Sequence, residues 1–237
     1  MKLLFFSLLF LNIHFLFSQE LTFPPKINLF QHSESQRRFN SFPHARVWGW
    51  SNNGKVAFSV ESDGVAGQII GFFVFDMITN SNVFELIMRQ HTHNYTIRDE
   101  ALYNFYANNI LNALRIFNII SYQTEFLPFP FSVNNVEYNT HLIVEYQKDQ
   151  MALGRDDVDV VSRYTVVITA NDRSKVIANF DGLSNAFIST FSVYAAGYFL
   201  SPFESRALVV VAESFWVHSM FELRYRFIGF DLETGFN

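Results

Sequence analysis

The sequence predicts an all-β chain, assembled mainly from antiparallel four-stranded meanders with one inserted α-helix. Three observations lead there. Residues 49–61, Gly-Trp-Ser-Asn-Asn-Gly-Lys-Val-Ala-Phe-Ser-Val-Glu, join a tight polar turn to a strand of period two. An altered copy of that stretch returns at residues 200–209 as Leu-Ser-Pro-Phe-Glu-Ser-Arg-Ala-Leu-Val. Phenylalanine occurs 29 times and aromatic residues make up 18% of the chain, which suits flat rings filling the space between packed sheets.

The chain opens with Met1 and Lys2, then an apolar stretch over residues 3–17 interrupted by Ser7, Asn12 and His14. One positive charge followed by an apolar run too short for a comfortable membrane span is the pattern of a signal peptide. Residues 1–18 are expected to be removed after Ser18, leaving Gln19 as the new terminus and no transmembrane segment; an uncleaved anchor is the alternative. The chain contains no cysteine, so neither a lipoprotein anchor nor a disulfide is available and stability has to come from burial. The net charge is −5, and loss of Lys2 makes it −6, which argues against nucleic acid or an anionic bilayer surface as partner.

Residues 19–44 form a lead segment. Pro24, Pro25 and Pro43 interrupt regular structure there, and Ile27, Leu29 and Phe30 are its candidates for burial. The first β unit follows over about 45–90. Asn52, Asn53 and Gly54 tolerate positive φ and reverse the chain; Val56, Phe58 and Val60 then share one face of a strand. Residues 69–76, Ile-Ile-Gly-Phe-Phe-Val-Phe-Asp, are too apolar for an exposed edge and read as an inner strand. Thr79 to Asn82 turn the chain once more, into a strand at 83–87.

The run Trp50-Ser51-x-x-Gly54-Lys55-x-Ala57-Phe58, followed by Phe73-x-Phe75-Asp76-x-x-Thr79-Asn80, resembles the repeat of TolB-like β-propellers. That repeat has Asp where Asn52 or Asn53 stands and Gly where Asn80 stands. The match spans about residues 48–89, with an echo at residues 230–235, Phe-Asp-Leu-Glu-Thr-Gly. The resemblance implies an incomplete or small propeller-like architecture and a binding or scaffold role in the bacterial envelope. A β-sandwich is the alternative arrangement, since closed propellers have four or more blades.

One helix is expected over about 97–118. Thr96 to Asp99 form a capping-box pattern with Asp in place of Glu, and Leu102, Phe105, Tyr106, Ile110, Ala113, Leu114 and Phe117 recur at helical spacing. The second unit occupies about 122–182, with strands at 122–129, 137–146, 164–169 and 175–180. The third occupies about 187–237, with strands at 187–200, 206–213 and 222–232. It ends without a fourth strand, so residues 21–30 are expected to lie beside residues 227–231 and supply it, with Pro24 and Pro25 tolerated at an edge.

Candidate chemistry is sparse. His91 and His93 sit on one side of an extended backbone, as zinc ligands often do; the bland alternative is a polar lead-in to the helix. Asp156 and Asp159 belong to a carboxylate cluster that a hard cation could use; the bland alternative is a solvated loop. Phe215, Trp216 and His218 form an aromatic patch, placed between two strands of the third unit, that could contact a sugar or peptide unless Trp216 folds back on the sheet. Asn94-Tyr95-Thr96 is formally a glycosylation acceptor, and Thr96 is better read as a helix cap. No nucleophile elbow, phosphate loop or dinucleotide fingerprint occurs, so no cofactor is expected. The reading is an exported module, periplasmic or at the cell surface, that binds an envelope protein or glycan. A metal-dependent hydrolase using the His or Asp pairs is the alternative.

Overall fold

The computed structural model describes residues 21–30, 43–64, 67–89, 99–149, 158–183, 188–217 and 220–237. Among these residues the chain is all-β, with three antiparallel sheets and two helices. Sheet one holds β1 (Ile27–Asn28), β2 (His44–Trp50), β3 (Lys55–Gly64), β4 (Gly67–Asp76) and β5 (Ser81–Arg89) in that order. Two helices follow, α1 (Asp99–Phe105) and α2 (Ala107–Ile116). Sheet two is β6 (Phe131–Val133), β7 (Val136–Asp149), β8 (Val158–Ala170) and β9 (Arg173–Asp181). Sheet three is β10 (Ile188–Leu200), β11 (Arg206–Val217) and β12 (Met220–Asp231).

Sheet three is the middle layer. Residues 207–212, Ala-Leu-Val-Val-Val-Ala, are apolar at every position because β11 is buried on both faces. Leu208, Val210 and Ala212 pack with Val56, Phe58 and Phe75 of sheet one. Ala207, Val209 and Val211 pack with Val161, Val166 and Ile168 of sheet two. The far face of sheet one, through Trp48, Ile70 and Phe72, covers Tyr103, Ile110 and Ala113 of the helices. Trp48 and Trp50 reach opposite faces of the same strand because a bulge between Val47 and Gly49 shifts the alternation by one residue.

The two copies of the turn share their closing contacts but not the reversal itself, where the Lys55 N–H goes to Ser51 Oγ and the Arg206 N–H to the Glu204 carbonyl. Ser51 Oγ accepts the Lys55 N–H at 2.9 Å, and Gly54 takes φ of 78°, which glycine adopts at least cost. Lys55 lies across from Asp76 and Arg206 across from Asp231, with charged groups 3.8 and 3.3 Å apart. Asp76 Oδ1 accepts from the N–H groups of Ile78 and Thr79, and Asp231 Oδ1 from those of Glu233 and Thr234, all at 2.8 to 3.1 Å. The Met77 N–H bonds the Gly54 carbonyl as the Leu232 N–H bonds that of Ser205.

Three expectations are corrected. The single helix is two, broken at Tyr106, whose φ of −100° and ψ of 12° leave the helical range while its N–H is shared between the carbonyls of Leu102 and Tyr103. No strand forms over 122–129. Pro128 and Pro130 have no N–H for a ladder, and the chain makes only single bridges, Ile120 to Trp50 and Leu127 to Tyr198, before β6 begins. The lead segment does not lie beside residues 227–231: β1 pairs with β2, Ile27 opposite Ala45 and Asn28 opposite His44. Two forces hold it there. Leu29 and Phe30 are fully buried between sheets one and three, and the Lys26 ammonium lies 2.7 Å from Glu61 of β3. The residues that would test the capping box, Thr96 to Arg98, and the leader at 1–18 lie outside the described residues.

Candidate functional site

Beside β12 the three sheets leave a cleft of about 590 Å³. One wall is the inner face of sheet one, with Phe58, Val60 and Phe73; a second is β9, with Ile177 to Phe180; the floor is β12 from Leu223 to Ile228. β9 and β12 are both edge strands, so two sheets turn unpaired borders toward the same space. The volume is in the range of small-ligand and peptide pockets.

Alternation along β12 gives the cleft two chemistries. Leu223, Tyr225 and Phe227 point to sheet one, where the rings of Phe227 and Phe58 are 4.1 Å apart. Arg224 and Arg226 point the other way, toward sheet two. Both meet the fully buried Glu213: Arg224 places Nε and Nη2 at 2.7 and 2.6 Å from Oε2, and Arg226 Nε lies 3.2 Å from each oxygen. The Tyr164 hydroxyl donates to Glu213 Oε1 at 2.6 Å. Burial, then the neighbouring carboxylate, pushes that hydroxyl's pKa up, so it stays a donor. The Arg224 guanidinium stacks over Phe215 at 4.5 Å and that of Arg226 over Phe180 at 5.1 Å. Two guanidinium groups share one carboxylate, and among the described residues no acidic side chain lines the cleft. Among the described residues the buried Tyr225 hydroxyl has no hydrogen-bond partner, and burial raises its pKa as well.

Of the residues singled out from the sequence, the described ones lie elsewhere or behind this cleft. Phe215 is inside β11 rather than in a loop, 5% exposed, and its ring serves as the support under Arg224. Trp216 is also in β11, paired with Ser189 and Phe221. Asp159 is exposed at the start of β8 and pairs with Lys148 at 3.0 Å. His91, His93, Asp156 and His218 lie outside the described residues. Among the described residues no three His, Asp or Glu side chains gather as a metal site, and no helix is long and apolar enough to cross a membrane.

Sequence reasoning passed over Glu213, Tyr164, Arg224 and Arg226. Their signals were present: Glu213 is the one acid in the mostly apolar run 207–215, and the two arginines stand two residues apart between the apolar residues Leu223, Tyr225 and Phe227. The chain matches no family model, no curated protein and no solved structure.

Proposed function

We propose that the protein is an exported, non-enzymatic binding module of the bacterial envelope, and that the cleft along β12 receives its protein or glycan partner. The cleft carries this reading: aromatic walls, two arginines and the Tyr225 hydroxyl make a recognition surface. Export rests on the apolar leader at residues 3–17. The TolB-like resemblance is supported by the shared wiring of the Asp76 and Asp231 turns, and a small or incomplete propeller is the arrangement it implies.

The test is capture from envelope extract with the protein starting at Gln19 and with its Phe180→Ala variant. Phe180 is half-buried on the cleft wall, so the variant should fold and lose the captured partner. Equal capture by both proteins would place binding elsewhere.

A further inference from the structure

We infer that the cleft is a strand-addition site: the free edge of β12 pairs with an extended peptide that alternates apolar and acidic residues. The inference rests on the cleft being the binding site and names the class of partner.

In an antiparallel strand the N–H and C=O of one residue point to the same side, and those of its neighbour to the other. β12 runs against β11 without a bulge from Met220 to Asp231, so this alternation is unbroken. At Gly229 the outer side is identified directly. The side-chain amide of Asn80 accepts the Gly229 N–H at 2.6 Å and donates to its carbonyl at 3.1 Å, as a strand residue would. Counting back by twos, Phe227, Tyr225 and Leu223 turn their N–H and C=O to that same outer side. Among the described residues none of these six groups has a hydrogen-bond partner. Leu223 and Tyr225 are only 7% and 8% exposed, and unpaired backbone groups at such depth call for a partner.

The internal repeat says what kind. β4 and β12 end in the same turn, closed by Asp76 and Asp231. In sheet one the strand beyond β4 is β5, whereas β12 is an edge. A strand added to β12 would stand where β5 stands.

The side chains set its sequence. A residue directly opposite Tyr225 shares its face and meets Phe58 and Phe73, so it is apolar; residues opposite Arg224 and Arg226 meet guanidinium groups that share the single Glu213, so they are acidic. A second copy fits poorly. Pairing β12 with itself along residues 223–227 would set Arg224 opposite Arg226, like charge against like.

The probe is a short synthetic peptide of alternating valine and glutamate, with binding read by calorimetry on the whole protein. Valines fall opposite Leu223, Tyr225 and Phe227, so their amides face β12 and the glutamate amides face away. N-methylation of the valine amides should weaken binding by about tenfold or more, and of the glutamate amides by less than about threefold. Lysine in place of glutamate should also weaken it by about tenfold or more. Equal effects of the two methylations, binding unchanged in Phe180→Ala, or self-association that excludes the peptide would each overturn the inference. If decanoate binds the cleft and the peptide does not, the site takes an amphiphilic carboxylate: strand addition is then wrong while the cleft still binds.

Discussion

Glu61 is 3% exposed and ties three elements together. Its carboxylate receives Arg46 Nε at 2.5 Å, the Lys26 ammonium at 2.7 Å and the Tyr103 hydroxyl at 2.8 Å, joining β2, the lead segment and α1 to β3. A relay extends it, for Tyr103 shares a 2.6 Å hydrogen bond with Ser59, which accepts from the Trp48 indole at 3.0 Å. Burial pushes the Glu61 pKa up, but the hydrogen bonds from Lys26, Arg46 and Tyr103 outweigh it and hold the group below its ordinary value of 4.5. A carboxyl with a depressed folded pKa stabilises fully above its unfolded value and loses that contribution as pH falls through the folded one. Glu61→Gln should therefore cost about 3 kcal/mol at neutral pH, since two cations lose their buried partner. The gap to wild type should narrow as pH is lowered below 4.5. Urea midpoints of the two proteins across that range decide it; a gap independent of pH would mean the carboxylate is not held as described.

Single elements are where sequence and structure agree most closely. Period two in residues 56–60 and unbroken apolarity in residues 69–75 placed β3 and β4, because strand pattern records which faces are covered. The Gly54 turn was equally readable. Its φ of 78° and a neighbour, Ile78 Cδ1, that would stand 2.7 Å from an added Cβ predict that Gly54→Val lowers stability by about 1 to 3 kcal/mol. Gly54→Asn should cost much less, because asparagine tolerates that region. Chemical denaturation of both variants checks it, and equal losses would point to crowding rather than backbone strain. Other features had no local signal. Nothing at Tyr106 marks a helix break, since the residue is neither proline nor glycine. The cleft draws on residues 58–82, 177–180 and 223–228, which no periodicity connects, so its aromatic residues were visible only as composition.

At the scale of the whole molecule the problem is covering both faces of sheet three while sheet one also carries helices. β11 can be apolar on both sides only because sheets one and two each present an apolar face to it. The lead segment completes the first of these interfaces. Leu29 and Phe30 are fully buried in the core cluster shared by sheets one and three, and the Phe30 ring meets Tyr194 of β10 edge to face at 5.7 Å. The segment thus acts as a wedge between sheets one and three, with β1 holding its register on β2. A chain beginning at Phe39 loses both side chains from the core, worth about 2 kcal/mol each by area, and also loses Lys26 from Glu61. It should unfold about 4 kcal/mol more easily than one beginning at Gln19 and expose apolar surface to a hydrophobic dye. Since β1 borders β2 and not β12, the shortened chain should still bind the valine and glutamate peptide under conditions where it is folded. Identical melting curves for the two chains would show that the wedge contributes nothing, and loss of peptide binding with the fold intact would show that the lead segment belongs to the cleft.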